Sequence, residues 1–413
     1  MILNALRRLE LHLKPQVLHL VHQAGEPLPH GDNSKVRPVP SPLPAFREAA
    51  KRLSLRLSWL QRFSGIRRQG EAYYWRLTAK LDRLCPGFSG LRQSDEVRQF
   101  LRALDQSEVY YHVGMSGLNE FWEAGLAYKR WVLEQARRRG LMVVLSSQGL
   151  GPVSTASSRA AMQSLLQLAD VVTLRDKNYG SALLKELGVT KAGSQIVFDE
   201  AFSLAPADAE ITRQWLAKIG LGPSEAFIAF HYREKDYTPV QQDQTSRLGG
   251  LLQRIHAATK LSILFVPMSY SAHSSVDILL GQRLAESMAN PAWYRVLPEC
   301  RDPSIVKSVI GQARFSMGLS YHTNVFSLTQ GHPALILYTG RYYGLKSDEL
   351  INFYGPPSRA MDLEKSSDDE ILEAIDAIMN EYPAACRRIA AINEHLAGIN
   401  DWVFEEIRRR LDS

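Results

Sequence analysis

The chain has 413 residues and a mass of 46.5 kDa; 45% of its residues are hydrophobic and 22% are charged. This composition is ordinary for globular proteins and excludes collagenous, coiled-coil and wholly disordered classes. The three cysteines, Cys85, Cys300 and Cys386, are far apart and odd in number, so neither a disulfide framework nor a paired-cysteine zinc site is predicted. A length of this size predicts two to three domains, at about 150 residues each.

Positive charge is concentrated near the N-terminus. The first 100 residues contain 17 Lys and Arg against 8 Asp and Glu, a net of +9, whereas the whole chain nets +6. The pattern contains no uninterrupted signal-peptide core and no long apolar run, so we expect a cytoplasmic protein. The local basicity favours peripheral contact with an anionic surface, such as the inner face of a membrane, and argues against a nucleic-acid partner.

Residues 1–104 are predicted to form a basic helical extension. Apolar residues at helical spacing indicate a short helix over 1–14, and six prolines make the segment at about 25–44 an extended linker. An amphipathic, cationic helix follows over 46–60. It fits either an anionic lipid surface or the protein's own body, and we favour the second because amphipathic surface helices usually pack on their own domain.

From about residue 105, short β-rich runs alternate with amphipathic helical runs. This order predicts an α/β fold with parallel sheets, because parallel strands need crossover connections. We expect two doubly wound, Rossmann-like domains over 105–205 and 206–385, facing one another across a cleft, and a C-terminal helix over 386–413. The predicted strands are 108–113, 141–146, 171–175 and 195–198 in the first domain, and 227–232, 261–266, 294–297, 314–318 and 334–338 in the second.

Ligands of such sheets bind at the carboxyl ends of the strands, so the loops there are the candidate sites. In the first domain, Ser116 and Asn119 lie in a glycine-containing loop, and Gln148 lies in a second one that offers polar groups to a hydroxyl-rich ligand. Both loops would also serve simply as turns. Arg175 ends the third strand and suits planar anion recognition, although pairing with Asp176 would give it a structural role.

In the second domain, Arg233 follows the first predicted strand and brings a second cation to the same edge. The most informative segment is 318–324, where a strand is followed by a predicted helix. Ser320, Tyr321 and Thr323 should therefore lie at a helix N-terminus, with Ser320 or Thr323 as its cap and with N–H groups suited to an anion. His322 beside them could move a proton near pH 7, and we favour that role over a merely packed side chain.

The predicted loop over 338–346 adds two cations to this edge. Arg341 could bind a carboxylate or phosphate in bidentate fashion, and Lys346 could do so as a point charge; a solvated surface is the other interpretation. The sequence contains no nucleophile elbow, phosphate-binding P-loop or zinc-protease motif. Chemistry without a metal on an anionic substrate is therefore the remaining interpretation.

Taken together, these segments resemble the polysaccharide pyruvyl transferase family. The resemblance rests on an ordered set of short motifs between residues 105 and 356: the loop at 113–119, the string Ser-Gln-Gly-Leu-Gly-Pro at 147–152, 172–176, 199–202, 230–233, 264–267, and 318–322 with 331–333 and Lys346. It implies two Rossmann-like domains resembling the GT-B glycosyltransferases. It also implies that phosphoenolpyruvate is the co-substrate, with no other cofactor and no metal.

The resemblance further implies a glycan acceptor, often lipid-linked, and a cyclic pyruvate ketal as product. It assigns His322 to proton transfer, the cations and the helix N-terminus of the second domain to the donor, and Ser116, Asn119, Gln148 and Arg175 to the acceptor. One position departs from the family pattern: Ser320 stands where an Arg is common. Two alternatives therefore stay open, a GT-B-like glycosyltransferase using a nucleotide sugar and a non-catalytic glycan-binding partner.

Overall fold

The computed structural model describes residues 8–9, 11–13, 18–22, 36–64, 71–85, 90–114, 117–189, 194–222, 224–233, 245–269 and 276–413. The chain divides into two compact units, Met1–Glu200 with Asn400–Ser413, and Ala201–Ile399. Each unit is built on a parallel sheet accompanied by helices, which confirms the predicted α/β class with Rossmann-like domains. Among the helices in these ranges, none combines the length and the apolar character that a membrane crossing requires.

The first unit contains a four-stranded parallel sheet and a separate parallel pair of strands, β1 with β2. The four-stranded sheet has the order β3-β4-β5-β6, and its strands begin within a few residues of the predicted ones. The elements of this unit up to residue 200 are β1 Leu18–His22, β2 Val36–Pro40, α1 Leu43–Ser64, α2 Glu71–Leu84, α3 Asp95–Asp105, β3 Val109–His112, α4 Glu123–Arg138, β4 Met142–Gln148, α5 Ala156–Leu166, β5 Val171–Leu174, α6 Tyr179–Glu186 and β6 Ser194–Ile196.

Helix α1 is the amphipathic helix predicted from the sequence. Phe46 is completely buried, and its ring centroid lies 5.4 Å from that of Trp75 and 5.6 Å from that of Trp131. Ala50, one turn further on, is also buried. The apolar side of the helix therefore packs on the protein's own body at these positions, as we favoured, and this part of residues 1–104 supplies core to the first unit.

The second unit contains a six-stranded parallel sheet of order β12-β11-β10-β7-β8-β9. This is the strand order of a complete Rossmann domain. The chain leaves the centre in opposite directions after β7 and β10, and ligands of such sheets bind where the carboxyl ends of those two strands adjoin. Its elements are α7 Ala209–Lys218, β7 Phe227–His231, α8 Thr245–Thr259, β8 Ser262–Phe265, α9 Val276–Ser287, β9 Tyr294–Val296, α10 Pro303–Ile310, β10 Phe315–Gly318, α11 Tyr321–Leu328, β11 Ala334–Tyr338, α12 Gly340–Tyr354, β12 Arg359–Asp362, α13 Asp368–Asn380 and α14 Tyr382–Leu396.

The C-terminal segment differs from the single helix predicted over 386–413. Helix α14 ends at Leu396, Gly398 adopts a φ of 82°, and a short 3₁₀ turn at Ile399–Asp401 leads into α15, Trp402–Leu411. A positive φ favours glycine and ends the helix there. The last helix then packs on the first unit through Phe404 and Ile407, both fully buried against Val144 and Val171.

The basic N-terminal residue Arg8 is part of this packing. Its guanidinium forms ion pairs with Glu200, at 3.3 Å, and with Asp401, and it lies 4.8 Å from the centre of the Phe404 ring. Glu200 also accepts hydrogen bonds from the hydroxyls of Tyr111, at 2.7 Å, and Ser146, at 2.6 Å. Arg8 is buried and satisfied within the first unit, so the proposed basic surface does not include it.

Candidate functional site

In the second unit, the carboxyl ends of β7 and β10 touch. Gly318 pairs with His231 across the two strands, and the N–H of Leu319 donates to the His231 carbonyl at 3.0 Å. Gly318 has a φ of 127°, and a Cβ there would lie 1.8 Å from that carbonyl oxygen. Only glycine therefore allows this approach, which brings the segments after both strands to one place.

The segment after β10 turns directly into α11. Ser320 is the N-cap of the helix, and its side-chain oxygen accepts a hydrogen bond from the N–H of Thr323 at 3.5 Å. Asn324 holds the turn by donating to the carbonyls of Gly318, at 3.1 Å, and Ser320, at 2.9 Å. The predicted helix N-terminus with a Ser320 cap is confirmed, and its backbone N–H groups lie at the edge where ligands bind.

His322 and Tyr321 occupy the first turn of α11 and are half-buried. Their rings meet edge to face at 5.6 Å, and the imidazole lies 6.4 Å from the ring of Phe326. The Nε2 atom of His322 is buried, as is the hydroxyl of Thr323, which has no hydrogen-bond partner among the described residues. The structure therefore places all four predicted residues, 320–323, together, while the proton-transfer role of His322 stays a prediction.

Arg233, two residues beyond the end of β7, is fixed by a carboxylate that the sequence analysis missed. Its guanidinium donates from Nε and Nη2 to the two carboxylate oxygens of Asp277, each at 3.0 Å. Asp277 Oδ2 also accepts from the backbone N–H groups of Met268, at 2.9 Å, and Ser269, at 2.8 Å. This bidentate arrangement holds the cation in one orientation, with about a quarter of its side chain exposed (24%).

The same carboxylate orients the imidazole of His231, whose Nε2 lies 3.2 Å from Asp277 Oδ2. Burial lowers the pKa of His231, and this effect outweighs the opposing influence of Asp277. Despite the burial of Asp277, the hydrogen bonds from His231 and Arg233 hold the pKa of its carboxyl well below the usual range. A neutral imidazole beside an ionised carboxylate carries its proton on Nε2, so Nδ1 is an acceptor. That atom is buried and has no hydrogen-bond partner within the described part of the chain.

Arg341 and Lys346 lie on helix α12, so the loop predicted for 338–346 was wrong. Gly344 lets the helix approach its preceding strand closely, since a Cβ there would lie 2.9 Å from the Tyr338 ring. Arg341 is exposed in the first turn of α12. The ammonium of Lys346 lies 4.4 Å from the ring centre of Tyr342 and 5.9 Å from that of Tyr321, which brings this cation towards the start of α11.

In the first unit, two predicted acceptor residues have structural partners. Arg175 is buried in an ion pair with Asp199, and the carboxylate of Asp176 accepts from the backbone N–H of Gly180. Asn119 is fully buried, and its side chain accepts from the N–H of Trp122 at 3.2 Å, capping a short helical turn. Ser116 lies outside the described residues.

Gln148, the fourth predicted acceptor residue, lies at the carboxyl end of β4 and is completely buried. Its amide nitrogen donates to the carbonyls of Ser146, at 2.7 Å, and His112, at 3.3 Å. Its Oε1 and the Nε2 of His112 are buried without a hydrogen-bond partner among the residues described. Buried polar atoms are nearly always hydrogen-bonded, so these two exceptions require a partner such as a water molecule or a ligand.

Groups of three or more His, Cys, Asp or Glu side chains arranged to hold a metal ion are absent from the described ranges. Of the three cations predicted to bind the donor, Arg233 follows β7, and Arg341 and Lys346 lie on α12.

The fold of the chain is similar to that of several solved structures. It matches the S. aureus MnaA–UDP co-structure (TM-score 0.53, 11% identity, 76% of this chain and 80% of that one) and the UDP-GlcNAc 2-epimerase of Neisseria meningitidis bound to UDP-GlcNAc (0.53, 11%, 91% and 91%). It also matches a UDP-forming trehalose-phosphate synthase of Burkholderia xenovorans (0.52, 10%, 94% and 93%). At such identities these matches show the fold alone, a GT-B-like pair of Rossmann-like domains.

The family is shown by sequence. The model of the polysaccharide pyruvyl transferase family matches residues 50–341, well over half of the chain. The chain therefore belongs to the polysaccharide pyruvyl transferase family, which places it among transferases of polysaccharide biosynthesis. No curated protein sequence matches it.

Proposed function

We propose that the protein transfers pyruvate from phosphoenolpyruvate to a sugar of a surface-glycan precursor, forming a ketal, and that the second unit binds the donor. The observation that carries the proposal is the junction of β7 and β10. Arg233 and Ser320 each lie two residues beyond the paired positions His231 and Gly318, so a guanidinium and a helix N-terminus share one edge. Such an edge suits a small anion, and His322 stands in the same helical turn.

The reaction asks for this combination of groups. Protonation of the enol carbon of phosphoenolpyruvate produces an oxocarbenium-like centre, which one sugar hydroxyl attacks. Departure of phosphate regenerates that centre, and a second hydroxyl closes the ketal. Of the two hydroxyl protons released, one balances the proton given to carbon and the other leaves with phosphate. The donor thus needs one proton source and cations for its carboxylate and phosphate.

We assign His322 to the proton transfer and Arg233 to the donor anion. Asp277 keeps the Arg233 guanidinium in place before the substrate arrives, so its orientation costs no entropy on binding. The N–H groups of α11 and the ammonium of Lys346, near Tyr321, add positive potential at the same edge. Arg341, exposed at the start of α12, is the third cation of this proposal. In this assignment the first unit binds the acceptor.

Ligand-dependent stabilisation tests the donor. Phosphoenolpyruvate should raise the unfolding temperature of the wild type, because a ligand that binds only the folded state stabilises it. Arg233→Ala should remove that shift. Arg254→Ala is the matched control, because Arg254 is an exposed arginine paired with Asp369 on the outer side of α8 and α13. A shift that persists in Arg233→Ala would refute the proposed donor site.

Turnover tests the imidazole. His322→Ala should retain the phosphoenolpyruvate-dependent shift and lose about 10²- to 10⁴-fold in phosphate release with sugar acceptors, the usual contribution of a general acid. Unchanged release would refute the assignment of His322. If neither the wild type nor His322→Ala released phosphate, the result would favour the non-catalytic glycan-binding alternative, which the presence of Ser320 in place of an arginine suggested.

The nucleotide-sugar alternative has a specific observation in its favour. Two of the structural matches are described as bound to UDP or UDP-GlcNAc, and helix N-termini bind diphosphates as readily as other anions. Stabilisation by UDP-sugars without stabilisation by phosphoenolpyruvate would establish it and overturn the pyruvyl transfer.

A further inference from the structure

The amide of Gln148 has a fixed orientation. Both groups within reach of its nitrogen are carbonyl oxygens, those of Ser146 and His112, and only the N–H₂ side of an amide can donate to them. The oxygen Oε1 therefore faces the other way, where no described residue donates to it. Oε1 can only accept hydrogen bonds, so whatever completes this site must bring a donor.

His112 contacts this amide through its backbone carbonyl, and its imidazole carries the second buried atom without a partner in the described structure, Nε2. Its Nδ1 lies 3.4 Å from the hydroxyl of Tyr110, and the two rings are nearly parallel. Burial, with a smaller effect of the nearby Lys129, lowers the pKa of His112 to about 3. The ring is therefore neutral at physiological pH and contributes a hydrogen bond rather than a charge.

The backbone beside Gln148 is held in an unfavourable conformation. Ser147 has a φ of 50°, and the pairing of β4 with β5 shifts register between Leu145 and Gln148. Ser147 is held there by hydrogen bonds to Thr173, at 2.7 Å, and to the carbonyl of Phe198, at 2.7 Å. Irregularities of this kind redirect a side chain at a strand end and are characteristic of binding sites.

We propose that Gln148 Oε1 and His112 Nε2 form a subsite for the hydroxyl groups of a sugar. Phosphates and carboxylates carry few or no donors at neutral pH, so the amide oxygen selects against an anion. A cationic ligand is disfavoured by Lys129, whose ammonium is held 3.0 Å from the Gly117 carbonyl. A neutral hydroxyl, donor and acceptor at once, satisfies both atoms. That this sugar is the pyruvyl acceptor rests on the function proposed above.

Two substitutions of His112 distinguish the contributions of its two ring nitrogens to sugar binding. The amide of an asparagine occupies the position of Nδ1 and leaves that of Nε2 empty, whereas the amide of a glutamine reaches the position of Nε2. Binding of the methyl glycopyranosides of glucose, galactose and mannose to the full-length protein is measured by saturation-transfer NMR without any donor. We expect His112→Asn to weaken binding about tenfold, as the loss of a buried hydrogen bond does, and His112→Gln to retain most of it.

A stability measurement distinguishes a ligand role from a structural one. His112→Phe is measured in a Tyr110→Phe background, because the phenylalanine ring removes both nitrogens and would otherwise leave the Tyr110 hydroxyl without its partner. The double variant should unfold at a temperature equal to or above that of Tyr110→Phe alone, because an unsatisfied buried atom is removed. A lower unfolding temperature of the double variant, equal binding by all His112 variants, or no binding by any glycoside would overturn the proposal. Failure of phosphoenolpyruvate to bind would leave these results intact, so the two proposals fail independently.

Discussion

Substituting Asp277→Asn tests how the second unit fixes its cation. The carboxylate accepts from Arg233 at both oxygens, from His231 and from two backbone N–H groups, at distances of 2.8–3.2 Å. Asparagine keeps the shape but is neutral and presents an N–H₂ group to one of these donors. Breaking a buried ion pair from one side costs about 3–5 kcal/mol, and partial exposure of Arg233 reduces this to about 2–3 kcal/mol.

Two measurements follow from that magnitude. Urea unfolding should show a loss of about 2–3 kcal/mol in Asp277→Asn, and kcat/KM for phosphoenolpyruvate should fall about 10²-fold, because a displaced guanidinium no longer meets the donor. The lowered pKa of Asp277 means that its stabilisation is present above the unfolded pKa of about 3.8 and is lost only as the pH falls below it. The difference in the free energy of unfolding between Asp277→Asn and the wild type should therefore stay constant from about pH 6 to about pH 8.

Asp368→Asn is the matched control for these effects. Asp368 also pairs with an arginine, Arg247 at 3.2 Å, but its side chain is 26% exposed and the pair lies at the surface. We expect a loss of no more than about 1 kcal/mol and unchanged kinetics. If Asp277→Asn behaved like this control, with wild-type stability and wild-type KM, the carboxylate would not be positioning Arg233.

Further predictions concern the same edge of the second unit and its packing. Gly318→Ala should lower the free energy of unfolding of the second unit by several kcal/mol in a urea titration, because its Cβ would lie 1.8 Å from the His231 carbonyl. Gly331→Ala is the control: Gly331 also has a positive φ, but a Cβ there meets no atom within 4 Å, so the loss should be about 1 kcal/mol. Ser320→Arg should lower the KM for phosphoenolpyruvate in steady-state assays while costing about 1 kcal/mol for the lost cap; an unchanged KM would contradict a donor at this helix end. Burial lowers the pKa of Lys307 from 10.5 to about 8, so between these two pH values the unfolded state binds more protons than the folded state. The free energy of unfolding of the wild type, measured relative to Lys307→Met, should therefore rise by about 3 kcal/mol as the pH increases from about 8 to about 10.5. Binding of phosphoenolpyruvate should take up part of a proton near pH 7 in calorimetry, because an anion favours the charged form of His231, and His231→Gln should reduce the uptake.

The strands and one part of the site could be predicted because their signals are local. Buried parallel strands are short apolar runs, and all nine predicted strands have counterparts in the sheets. The edge strand β12 was missed because Arg359–Asp362 lacks a buried apolar run. The N-terminus of α11 was also readable, since a glycine, a serine and the following helical pattern are adjacent in the chain.

Other parts depend on contacts between distant residues. Asp277 meets His231 across 46 residues of sequence, and Asp199 meets Arg175 across 24, so no local pattern pairs them. The spacing of His231 and Arg233 did contain a signal, because residues i and i+2 of an extended chain share a face. The loop predicted for 338–346 was wrong for a related reason, because nothing in the local sequence shows that Gly344 serves close packing inside α12.

The unsatisfied atoms of the two units differ in a way that bears on which ligand each can take. His231 Nδ1 is an acceptor while the ring is neutral, but an arriving anion can make it a donor by raising the pKa of the imidazole. Gln148 Oε1 has no such alternative, because an amide does not titrate in this range and its nitrogen is committed to two carbonyls. A bound anion can therefore change the protonation of His231 in the second unit, but it cannot turn Gln148 Oε1 in the first unit into a donor. A ligand bound at Gln148 has to bring its own hydrogen-bond donor, which in a sugar without an acetamido group means a hydroxyl.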